Sequence, residues 1–147
     1  MGTRRQAREQ ALQILYQVDL GAGALSLEDA LSRFWEFEDE PTEPDVVEFA
    51  RILVRGVSTR RDAIDTMISD ASINWKLPRM SLVDRNILRI GAFELTAQDD
   101  IPASVSINEA IELGKRFGTS DSGSFINGIL DRIARNLGVA QRGRKGR

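Results

Sequence analysis

The sequence contains neither cysteine nor histidine. Without cysteine there is no disulfide framework, no thiolate metal site and no cysteine nucleophile, and the absence suits a reducing, cytoplasmic setting. Without histidine the commonest general base, the Ser-His-Asp arrangement and the imidazole metal ligand are all missing. Neither catalysis, a metal nor an organic cofactor is expected. Long apolar runs are missing too. No stretch approaches the roughly 18 consecutive apolar residues of a membrane-crossing helix, and the N-terminus opens into a polar helical pattern rather than an apolar leader. Strand signals are equally scarce: no convincing alternation appears, and Asn127-Gly128 sits inside a helical stripe rather than a hairpin turn.

What is present fits one soluble globular domain: 147 residues, 41% hydrophobic and 29% charged. The net charge of −2 hides an uneven distribution. Arg4, Arg5 and Arg8 precede the first acid, and Arg142, Arg144, Lys145 and Arg147 close the chain without one. Between residues 9 and 141 that leaves 13 cations against 22 acids, a body of −9. Basic ends on an acidic body point to two partners of opposite sign, a polyanion and a basic protein.

Periodicity predicts an all-α chain of seven helices. The first starts at Thr3, which has capping-box spacing to Gln6, carries Ala7, Ala11, Ile14, Leu15 and Val18 inward, and stops at Gly21. The second follows Ser26 with Leu27, Ala30, Leu31, Phe34 and Phe37 on one face. Residues 38–44 have no apolar side chain and read as a loop. A third and a fourth helix share a stripe from Val46 to Ala71, broken near Gly56 and Ser58-Thr59. Ser81 caps a fifth that is apolar around most of its circumference and therefore central. Ser106 and Glu109 are spaced as the capping box of a sixth, which Gly118 stops. The seventh carries Phe125 to Leu137 and stops at Gly138. The expected domain spans residues 1–137, two helical subdomains sharing a core, with a basic disordered tail at 138–147.

Two readings compete for the Arg4, Arg5, Arg8 cluster: a phosphate site at a helix N-terminus, or a solvated turn with an Arg5–Glu9 pair. Gly56, Gly91, Gly114 and Gly128 interrupt helices, as expected of close crossings. The carboxylate pairs Asp99-Asp100 and Glu109/Glu112 read as loop and solvated helix face rather than acid-base machinery. Trp35 and Trp75 are expected in the core or at the subdomain joint. Leu12 and Tyr16 form a second apolar edge on the first helix, suited to packing or to another protein.

Four ordered blocks carry a resemblance. The first runs from Arg5 through Arg8 and Ala11 to Leu15 and Tyr16. The second is Val83-Asp84-Arg85 through Gly91, Phe93 and Glu94 to Leu95. The third is Ile101-Pro102 through Asn108-Glu109-Ala110 to Gly118, and the fourth Phe125-Ile126-Asn127-Gly128 to Asp131. Together they resemble the NusB family of bacterial transcription antitermination factors across nearly the whole chain. The resemblance implies a seven-helix fold of two small bundles and no catalysis. It implies binding to boxA-type RNA of ribosomal RNA leaders with the small-subunit ribosomal protein NusE, within the transcription elongation complex, the free chain being monomer or homodimer. Arg4, Arg5, Arg8, Asp121 and Phe125 match RNA-facing positions, and Tyr16 and Asp84 match NusE-facing ones. Ser124 stands where many members carry Lys or Arg. A domain related to ribosomal RNA cytosine methyltransferases, or a purely protein-binding adaptor, are the alternatives.

Overall fold

A computed structural model describes residues 3–21 and 25–141. Seven α-helices follow in order: α1 (Arg4–Leu20), α2 (Leu27–Phe34), α3 (Pro44–Thr59), α4 (Arg61–Ala71), α5 (Leu82–Ala97), α6 (Ala103–Phe117) and α7 (Ser122–Leu137), with a 3-10 turn at Leu77–Arg79 and no strand among the described residues. Local chemistry sets most of the ends. The Thr3, Ser26 and Ser81 hydroxyls accept from the third residue on, and Gly138 terminates α7 in the left-handed region at φ 75°.

Helix α5 meets α1, α3, α4, α6 and α7, and α1 packs on α2 and α3 while α6 packs on α7. The result is an N-terminal group, α1–α3, and a C-terminal group, α4–α7, joined through α5. Ile87, Leu88, Ile90 and Leu95 are fully enclosed, so α5 is the centre of a single core. Close approach accounts for three of the helical glycines. A Cβ would stand 2.2 Å from the Phe93 ring at Gly56, 2.6 Å from Leu130 at Gly91 and 2.7 Å from Ile126 at Gly114. At Gly128 nothing lies within 4 Å, and nothing in the structure explains that glycine.

A buried polar joint ties the groups together. Arg89 on α5 donates to both Asp65 oxygens on α4, at 2.8 and 3.1 Å, and to Asp19 on α1 at 3.0 Å, while Asn86 donates to the same Asp19 oxygen at 3.0 Å.

Four expectations need correction. Helix α2 ends at Phe34, and Phe37, placed on its buried stripe, is 86% exposed. Trp75 is not in the core but 51% exposed, whereas Trp35 is half-buried and donates its indole N–H to Gln10 at 3.1 Å. Helix α6 begins at Ala103, a turn before the expected box, with the Pro102 carbonyl accepting the first helical bonds. Ser106 is buried inside it and the largely buried Glu109 carboxylate is taken up by Arg5, so neither caps. The body also extends past 137: Val139 and Ala140 pack against the core. The basic tail from 142 on lies outside the described residues.

Candidate nucleic-acid interface

Thr3 starts α1 so that Arg4, Arg5 and Arg8 leave its first two turns beside the helix's positive end. Their partners come from far along the chain. Arg4 pairs with Asp100 at 3.1 Å, and its guanidinium lies 5.1 Å from the centre of the Phe49 ring. Arg5 grips Glu109 through two bonds of 2.9 and 2.8 Å. The expected Arg5–Glu9 pair does not form, because Glu9 accepts from Arg116 at 2.7 Å. Hydrogen bonding from Arg5, more than its charge, holds the Glu109 carboxyl below the usual glutamate range against the opposing effect of burial.

Arg8 differs from its neighbours. It is 3% exposed and meets Glu94, 1% exposed, through two bonds of 2.7 Å. The Ser106 hydroxyl donates to the same carboxylate at 2.8 Å, and Arg8 also reaches Glu109 at 3.7 Å. Arg4 and Arg5 therefore present charge to solvent, while Arg8 sits beneath them and holds α1, α5 and α6 in register. Sequence reasoning missed the partners Glu94 and Ser106. A signal existed for Glu94: a single acid between Phe93 and Leu95 in a helix buried on all sides demands a cation.

A furrow between α1 and α6, lined by Arg5, Glu9, Glu109, Glu112, Lys115 and Arg116, continues the arginine end. Beyond it, Arg116 stacks over Phe117 at 5.3 Å, and Phe117 enters an apolar groove with Leu12, Tyr16 and Val83. Tyr16 is 36% exposed there. The next residue on α5, Asp84, lines a separate hollow together with Trp75, Arg79, Asp121 and Phe125. Asp121 and Phe125 thus share a depression with Asp84 rather than with the arginines, and Tyr16 faces the neighbouring groove.

The NusB family model matches residues 5–135. Transcription antitermination protein NusB of Anaeromyxobacter dehalogenans strain 2CP-1 is 51% identical over 142 residues, 97% of each chain. The chain belongs to the NusB family. The NusB of Myxococcus xanthus is 52% identical over 136 residues, covering 91% of this chain and 96% of its own. Among solved structures, T. maritima NusB superposes with a TM-score of 0.82 at 42% identity, covering 92% of this chain and 93% of that one. A crystal structure of antitermination factors NusB and NusE in complex with double-stranded RNA gives 0.77 at 25% identity, over 90% and 96%. As a NusB-family member this chain is an antitermination factor and not an enzyme. The all-helical fold is the family's. Among the described residues no helix is long and apolar enough to cross a membrane.

Proposed function

We propose that this chain binds boxA-type RNA of ribosomal RNA leader transcripts jointly with the ribosomal protein NusE, as part of an antiterminating elongation complex. The observation that carries the RNA half is the pair of solvent-facing guanidiniums, Arg4 and Arg5, at the positive end of α1. Asp100 and Glu109 hold them with charged oxygens in the manner of a phosphate, so an RNA phosphate exchanges with a carboxylate there. Only a local patch on an acidic chain meets the polyanion; binding by the chain alone is therefore modest and steep in salt. The −9 body supports the protein half, a basic ribosomal partner being its electrostatic complement. The related NusB–NusE structure with RNA adds support to both.

Fluorescence anisotropy of a labelled boxA-type RNA against a scrambled control, with and without NusE, tests the proposal. NusE tightens binding, and Arg4→Ala or Arg5→Ala each flatten the log-affinity against log-salt slope by about 0.7, the loss of one phosphate contact on a single strand. Equal affinity for boxA-type and scrambled RNA with NusE present, or an unchanged slope in the Arg4→Ala, Arg5→Ala double variant, overturns it.

A further inference from the structure

Helices α1 and α5 run antiparallel and are fastened to each other twice. Near the start of α1, Arg8 meets Glu94 of α5; near its end, Asp19 accepts from Asn86 and Arg89 of α5. The fastenings lie roughly 16 Å apart along α1. The buried α1 residues between them include Ala11, Ile14 and Leu15. Apolar contact is non-directional, so the register of the two helices falls to the polar bonds at their ends.

The two ends serve different surfaces. Arg4 and Arg5 stand at the first. At the second, Tyr16 precedes Asp19 by three residues and Val83 precedes Asn86 by three, so each sits about one helical turn from the joint on its own helix. Tyr16 and Val83 are opposite contributions, from α1 and α5, to the apolar groove of about 290 Å³ that Leu12, Gln13, Gln17 and Phe117 complete.

The joint leaves little freedom. Arg89 uses all three guanidinium nitrogens, on Asp65, on Asp19 and on the Asn86 amide oxygen. Asp19 uses both carboxylate oxygens, Oδ2 for Asn86 and Arg89 and Oδ1 for Arg61 at 3.4 Å. Asn86 and Arg89 are 1% and 2% exposed. Sliding α1 by the rise of one residue, about 1.5 Å, breaks these bonds. Stability alone does not call for such a cluster, because apolar residues of similar volume do as well or better. What a fork of fixed bonds adds is register.

We propose that Asp19, Asn86 and Arg89 are positioning residues for the protein partner. They hold Tyr16 of α1 and Val83 of α5 at the spacing the partner's side chains require, without lining the groove themselves. The proposal rests on the protein half of the reading above, with the partner seated on the Tyr16 groove. The RNA half is untouched, because Arg4 and Arg5 stand by the other fastening.

Calorimetry against NusE, and anisotropy with RNA in its absence, test the proposal at a temperature where circular dichroism shows every variant folded. Asp19→Asn weakens NusE binding about tenfold and leaves RNA binding by the chain alone unchanged. Asn86→Ala, which takes one bond from Asp19 and keeps both ion pairs of Arg89, gives a smaller loss in the same direction. The losses from Asp19→Asn and Tyr16→Ala are non-additive, because both act on one groove. The decisive variant combines Asp19→Leu, Asp65→Leu and Arg89→Met: apolar replacement restores stability, and NusE binding stays weak. If NusE affinity recovers together with stability, the joint is a stability element only and the proposal is overturned. Parent-like NusE affinity in Asp19→Asn, or additive losses with Tyr16→Ala, overturn it as well. If the parent binds NusE and Tyr16→Ala has no effect, the partner sits elsewhere and the proposal falls with the groove. A parent that does not bind NusE overturns the protein half of the reading itself.

Discussion

Arg5 and Arg8 leave the same turn of α1 and do different work. Removing Arg8 leaves Glu94 charged, enclosed and short of its cation, so Arg8→Ala costs about 3–5 kcal/mol of stability. Replacing both with apolar residues of similar size, Arg8→Met with Glu94→Leu, recovers most of that loss, because the desolvation of two charges disappears with them. Denaturant melts of the two single variants and the double variant check it; a double variant no more stable than the singles counts against an isolated pair. Reduced RNA binding by Arg8→Ala alone is then a folding effect. Arg5 acts at the surface through Glu109, whose folded carboxyl titrates below its unfolded value. The stabilisation from that pair is fully present above the ordinary glutamate pKa of about 4.3 and fades as pH falls through the lower folded value. Thermal melts of the parent and Glu109→Gln should differ by a constant amount from about pH 5 upward and converge in stronger acid.

Among the elements, α5 carries the most. Its apolar residues face α1, α3, α4, α6 and α7, which no single amphipathic stripe achieves. Leu88→Asp puts an unpaired charge at a fully enclosed position and costs several kcal/mol, comparable to the whole stability of a typical domain. The expected outcome is loss of the cooperative circular dichroism melt, and a melt like the parent's refutes the placement. Helix α6 teaches the opposite lesson. Ser106 and Glu109 have the spacing of a cap, yet Glu94 claims the hydroxyl and Arg5 the carboxylate. Pro102, with φ −57° and no N–H to satisfy, lets the helix begin earlier.

At the scale of the whole molecule, the acidic body is the electrostatic complement of a basic protein partner. The groove holding Tyr16 and the hollow holding Asp84 adjoin through Val83 and Asp84, neighbours on α5. A basic protein docked there gains charge complementarity from Asp84 and apolar contact from Tyr16. Titration calorimetry against NusE should show clear weakening for Tyr16→Ala combined with Asp84→Lys, with the thermal melt little changed because both side chains are at least partly exposed. Unchanged affinity removes these two residues from the partner face.

Helix number, most caps and the identity of the core were legible in the chain because each is encoded within a few residues: Thr3 with Gln6, Ser81 with Asp84, the apolar ring of α5, Gly138 past the last turn. The NusB resemblance was legible for the same reason, as four contiguous blocks. Which arginines face solvent was not. Arg8 finds Glu94 86 residues away and Arg5 finds Glu109 at 104, and no local pattern distinguishes two guanidiniums whose partners lie that far off. Trp75 shows the same limit from the other side: an indole reads as core until the packing of α4, α5 and α7 leaves it no place inside, and only that packing brings Phe125, Asp121 and Asp84 around it.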